Sequence, residues 1–154
     1  DNYPDSIDLA LNMQGEGLAL LLTGSTNHMQ SQLDNAEIDI TYQDGSKQKI
    51  LLRNPETWWP IEQDYFEDGH AFHLRSKPPI RVHLKTGQAF NGFASKNSYS
   101  SLKGFSNRVI DGGAASVLEI ALDKTKVVRK FSLKTTTNEV VAGLMGISLI
   151  NPVN

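Results

Sequence analysis

Residues 36–52 read Ala36-Glu-Ile-Asp-Ile-Thr-Tyr-Gln-Asp-Gly45-Ser-Lys-Gln-Lys-Ile50-Leu-Leu52. Ala36, Ile38, Ile40 and Tyr42 alternate with Glu37, Asp39 and Thr41, the period of two expected of a strand with one buried face. Asp44-Gly45 then turns the chain, and Ile50 and Leu52 continue on the far side. Register decides how the two arms pair. A two-residue Asp44-Gly45 loop sets Ile38 opposite Leu51 and Ile40 opposite Lys49, which strands Ile50 and Leu52 on the solvent face. A three-residue loop, Gln43-Asp44-Gly45, pairs Ile38 with Ile50 and Ala36 with Leu52. Every apolar residue except Leu51 then shares one face, because a one-residue slip would flip the whole set. The same loop puts Gly45 at the left-handed position of a type I turn with a G1 bulge, where a residue without Cβ is favoured. The three-residue loop is therefore expected.

Outward from this hairpin the chain reads as further strands. Residues 18–22 are a short apolar run ended by Gly24-Ser25-Thr26-Asn27, a strand by length and terminator. Phe72 and Leu74 alternate with His73 and Arg75 up to Pro78-Pro79. Ile80, Val82 and Leu84 alternate with Arg81, His83 and Lys85 up to Thr86-Gly87. Residues 87–108 are rich in Gly, Ser and Asn but carry Phe90, Phe93, Tyr99 and Phe105, so they read as a long connection with aromatic anchors rather than a linker. Three strands close the chain: one with Leu118, Ile120 and Leu122, one with Phe131 and Leu133, and the apolar run 140–150. In the last, Gly143 and Gly146 mark bulges or close approaches. A short helical turn fits at 123–126. With no sustained 3.6-residue pattern, the class is all-β, an antiparallel β-sandwich.

The 154 residues suit one domain, with no repeat, low-complexity tract or boundary to mark a second, and they start at Asp1, as a mature protein or an excised domain would. Hydrophobic content of 39% with 21% charged is that of a folded chain. A formal charge of −2 with scattered Lys and Arg gives no footprint for nucleic acid. No apolar run has the roughly 20 residues that span a bilayer, so membrane insertion is not expected. Absence of Cys removes disulfides and thiolate chemistry.

Enzyme signatures are sparse. Gly87 and Gly92 have phosphate-loop spacing, but Phe93 and Ala94 stand where Lys and Ser or Thr are required. No Gly-x-Ser-x-Gly elbow is present. His70 and His73, three apart on a strand, point to opposite faces and suit a polar surface better than one metal. Glu62 and Asp64 on one strand face would lie roughly 7 Å apart, inside the glycosidase range of about 5–9 Å. A solvated edge is the plainer account, and Asp64 and Asp68 with backbone carbonyls could instead hold calcium. No other cofactor is expected.

The only two tryptophans stand in Asn54-Pro55-Glu56-Thr57-Trp58-Trp59-Pro60, bracketed by prolines. Proline fixes its φ and cannot donate to a ladder, so the stretch is a rigid loop or sheet edge. Sugar rings stack on aromatic faces while carboxylates and amides take the hydroxyls; Trp58, Trp59, Tyr65, Glu62, Gln63 and Asn54 would supply both kinds of contact. The alternative is that one indole caps the open end of the sandwich and the other packs on a neighbouring domain.

The run Gly24–Ile38, the Tyr-Gln-Asp-Gly of 42–45 and Arg53–Tyr65, with its Asn-Pro-x-x-Trp-Trp-Pro motif, resemble the C-terminal region of large secreted bacterial proteins. Segments 111–123 and 140–149 match that region in character. That family has no established function but resembles glycoside hydrolases with a helical toroid catalytic domain. More distantly, the hairpin, Trp-rich loop and terminal apolar strand are similar to galactose-binding-like jelly rolls appended to glycosidases. The resemblance implies a non-catalytic accessory module of a secreted or periplasmic polysaccharide-degrading enzyme. Its partners would be the neighbouring catalytic domain of the same chain and, through the Trp58-Trp59 loop, a carbohydrate. The rival expectations are a small glycoside hydrolase using Glu62 and Asp64, and a purely structural interface domain.

Overall fold

The computed structural model describes residues 3–27, 30–63, 75, 77–91 and 110–151. Nine strands form from them: β1 (Ser6–Met13), β2 (Gly17–Ser25), β3 (Asp34–Tyr42), β4 (Lys47–Arg53), β5 (Ile80–His83), β6 (Ala89–Asn91), β7 (Ala114–Ala121), β8 (Val128–Thr135) and β9 (Val141–Ile150). They make a four-stranded sheet in the order β1-β8-β3-β4 and a five-stranded sheet in the order β6-β5-β7-β2-β9. Every pairing is antiparallel. The chain is an antiparallel β-sandwich, and its core lies between the sheets. Leu18, Leu20 and Leu22 of β2, Ala36, Ile38 and Ile40 of β3, Ile120 of β7 and Val128, Phe131 and Leu133 of β8 are all buried there. Full burial of one such aliphatic side chain is worth about 1.5–3 kcal/mol.

The hairpin has the expected register: Ala36 pairs with Leu52, Ile38 with Ile50 and Thr41 with Lys47. Tyr42 N–H donates to the Ser46 carbonyl and Gly45 N–H to the Tyr42 carbonyl, closing a loop of Gln43, Asp44 and Gly45. Gly45 sits at φ 84°, the left-handed position. Leu51 is the odd residue out, on the solvent side at 42% exposure.

Asp44 anchors this turn. Its Oδ1 accepts from the Ser46 amide and hydroxyl, and its Oδ2 lies 2.9 Å from Lys126 Nζ on the neighbouring β7–β8 turn. The Ser46 hydroxyl, then Lys126, hold the Asp44 carboxyl down at about 2. An aspartate lowered on folding stabilises the native state above its unfolded value of about 3.9, and that contribution fades as pH falls toward about 2. Asp44→Asn should therefore unfold more readily than the unaltered protein near neutrality. In acid denaturation followed by circular dichroism, the gap between the two should close between about pH 4 and pH 2.

Other segments depart from expectation. β1 is not among the strands expected from sequence, although Ile7, Leu9, Leu11 and Met13 alternate and pack on the core. Residues 89–91 were expected within a long connection and instead form β6 against β5. Residues 123–126 make a turn closed by Lys126 N–H on the Asp123 carbonyl, not a helix. The largest difference is in β5. Alternation suggested Ile80 and Val82 inward, yet Ile80 is 45% exposed and Arg81 is fully buried. In β9, Leu21 faces Gly146 while Leu22 faces Leu144, so Met145 is the extra residue of a bulge beside Gly146. The proposed strand at Phe72 and Leu74, and Phe93, Tyr99 and Phe105, lie outside the described residues.

Candidate functional site

The Trp-bearing loop leaves β4 by a tight turn. Thr57 N–H donates to the Arg53 carbonyl, and Thr57 Oγ1 accepts from the Arg53 amide at 2.7 Å. The Asn54–Pro55 peptide is cis. Asn35 of β3 fastens the turn to the four-stranded sheet: its Oδ1 accepts from Asn54 N at 3.0 Å and from Trp58 Nε1 at 3.2 Å. Its Nδ2 donates to the Gln30 carbonyl. Trp58 thus enters the core polar edge first, with its one donor satisfied, as a buried indole requires. Gly24 of β2 makes room for it. Its φ is 150°, and a Cβ there would run into the Val141 carbonyl oxygen and the Trp58 ring.

Trp59 turns the other way, toward the five-stranded sheet. Its Nε1 donates to the Pro55 carbonyl at 2.6 Å and its backbone N–H to Ser116 Oγ of β7 at 3.0 Å. The Arg81 guanidinium lies over its ring, 5.1 Å from the centroid, and is 6.0 Å from that of Phe90. A desolvated cation on an indole face is attracted by the ring quadrupole, by about 2 kcal/mol at such sites. Arg81 Nη1 donates to the Gln63 carbonyl, and Nη2 to the carbonyls of Pro60 and Ala114, each at 3.1 Å. This fork of donors gathers the carbonyls of the loop and of β7 around one charge.

Backbone bonds complete the corner. Ile61 N–H donates to the Gly24 carbonyl, Ala114 N–H to the Ile61 carbonyl and Ile110 N–H to the Glu62 carbonyl. Gly113, at φ 76°, lets Ile61 close in: a Cβ on it would stand 2.8 Å from Ile61 Cγ1. The stretch is a loop, as its prolines suggested, and it is knitted to both sheets, through Asn35 on one side and through Ser116 and Arg81 on the other.

The expected site residues separate here. Trp58 and Trp59 are both 0% exposed, so in this structure neither indole offers a face to a sugar ring. Asn54 is also buried. Glu62 is exposed and Gln63 is partly so. Tyr65, and with it Asp64, Asp68, His70 and His73, lies outside the described residues, as do the Glu62–Asp64 pair and the calcium alternative as sites. Among the described residues no three His, Asp or Glu side chains gather into a metal-binding group. Sequence reasoning did not anticipate Asn35, Arg81 or Ser116, the three polar side chains that organise the corner. Only Arg81 left a trace, as a charge flanked by Ile80 and Val82.

Fold and corner together define an antiparallel β-sandwich domain closed at one corner by a Trp-Trp loop. Comparison with protein-family models, with curated proteins and with solved structures gives no match.

Proposed function

We propose that this domain is a non-catalytic accessory module of galactose-binding-like jelly-roll type, working in a secreted or periplasmic polysaccharide-degrading enzyme by docking on its catalytic domain. The observation that carries the reading is the contrast between the two outer faces. The four-stranded sheet is covered with ion pairs, Lys130–Asp8 at 2.9 Å and Lys49–Glu37 at 2.7 Å. Register puts Ile80, Val117, Leu21 and Gly146 in one row across the outside of the five-stranded sheet. Among the described residues of its strands, Glu119 is the one charged side chain on that face. Depletion of charge is what marks the centre of a protein interface. Burial of both indoles favours this docking role over direct glycan contact by the Trp58-Trp59 loop.

The test combines two measurements. Calorimetry of the isolated domain against soluble polysaccharides should give no heat of binding. In the intact parent protein, Val117→Lys with Leu21→Lys should lower the melting temperature of the catalytic domain while leaving the module folded. Saturable glycan binding, with no effect of the lysines on the catalytic domain, would replace docking with a carbohydrate-binding role. Turnover of a glycoside by the isolated domain, abolished in Glu62→Gln, would make it a hydrolase instead.

A further inference from the structure

Asp-Gly occurs three times in the chain, at Asp44-Gly45, Asp68-Gly69 and Asp111-Gly112. The second of these lies outside the described residues. The other two occupy turns of opposite character. In the β3–β4 turn the Gly45 amide donates to the Tyr42 carbonyl. Ser46 holds one oxygen of the Asp44 carboxyl, and Lys126 holds the other. Amide nitrogen and carboxyl are both committed, so neither can approach the other without opening the turn.

The other turn precedes β7. Gly113 N–H donates to the Ile110 carbonyl across Asp111 and Gly112, with Gly112 at φ 80°. Both residues are exposed, the Asp111 side chain at 84%. Among the described residues no hydrogen bond commits the Gly112 amide. Without a Cβ, Gly112 also leaves the Asp111–Gly112 peptide free to rotate toward the carboxyl. The ion-pair partner of that carboxyl is Lys85, with Nζ 2.6 Å from Oδ2. This hydrogen bond, then the charge of Lys85, hold the Asp111 carboxyl below the usual carboxylate range, and a charged His83 adds to the effect.

We propose that Asp111-Gly112 is a self-modification site, where the backbone isomerises to a β-aspartyl linkage under the restraint of Lys85. The Gly112 nitrogen attacks Asp111 Cγ. A C–N bond forms, the Cγ–O bond breaks, and the amide proton leaves with the departing hydroxyl as water. Water then opens the resulting five-membered succinimide. Opening at Cγ restores aspartate; opening at the main-chain carbonyl carbon leaves a chain one atom longer. The water lost is regained, so no other reactant is required. A neutral carboxyl gives up its hydroxyl far more readily than a carboxylate, and an ammonium on Oδ2 keeps the group ionised. The added atom falls between ties that hold the Trp corner, Ile110 N–H on the Glu62 carbonyl and Leu84 N–H on the Gly113 carbonyl. This chemistry is independent of the docking role proposed above.

Prolonged incubation of the folded 154-residue protein, then peptide mapping with electron-transfer fragmentation, distinguishes the two linkages at each site. Asp111 should convert while Asp44 stays aspartate. Lys85→Gln should speed conversion by about twofold or more, the effect expected of losing one exposed ion pair. Asp111→Glu, whose longer side chain cannot close the five-membered ring, should stop it. In urea, where both turns are open, the two sites should convert at similar rates. An Asp111 that stays unconverted in the folded protein overturns the proposal, as does equal conversion at Asp44 or a rate unmoved by Lys85→Gln. A contrast between the sites that survives in urea would belong to the local sequence rather than the fold, and overturns it too.

Discussion

Arg81→Met should lower the free energy of unfolding by about 3 kcal/mol or more, since each buried carbonyl left without its donor costs about 1–3 kcal/mol. The guanidinium serves the carbonyls of Pro60, Gln63 and Ala114 and lies on the Trp59 ring. Methionine keeps the length and apolar volume of the side chain, so the loss would come from the donors and the charge. Arg81→Lys should recover only part, because a single ammonium cannot present the same planar fork. Urea denaturation reads the effect as a lower midpoint at unchanged slope. A surface arginine would give a change within about 0.5 kcal/mol. That smaller result would mean that β5 presents Ile80 and Val82 inward after all.

Trp58→Ala should cost about 3–5 kcal/mol, the range for deleting a large aromatic side chain from a packed core. The indole is fully buried, among neighbours from both sheets, and its Nε1 shares Asn35 Oδ1 with the Asn54 amide. Trp58→Phe keeps most of the volume and gives up that one hydrogen bond, so its penalty should be smaller, about 1 kcal/mol from the lost bond. The pair distinguishes plug from platform. A tryptophan held out for a ligand would be replaced by alanine at little cost to stability.

The hairpin was legible in the sequence because two independent constraints agreed on it. The apolar set could share one face only in the register of Ile38 with Ile50, and Gly45 could take its left-handed position only in a three-residue loop. The bulge in β9 was legible for a similar reason: Gly143 and Gly146 interrupt a run that is otherwise bulky. β5 was misjudged because charge is ordinarily read as solvated. Nothing local to Ile80-Arg81-Val82 reveals that three loop and strand carbonyls and an indole, distant in the chain, await a cation. The Trp stretch was legible as a loop from its prolines, but its direction depends on Asn35 and Ser116, one in each sheet and both distant in the chain. Glu62, expected as a glycan contact or as a rival catalytic acid, is exposed and its carbonyl accepts from Ile110 N–H, while its expected partner Asp64 lies outside the described residues.

Both indoles of the chain occupy one corner, where one rests in hydrocarbon and the other beneath a guanidinium. The molecule therefore has a built-in optical gauge: excited at the red edge of its absorption, where its four tyrosines do not absorb, its emission reports on the junction between the layers. An emission maximum that drifts red before the far-ultraviolet signal of the strands changes would reveal that this junction loosens ahead of the rest.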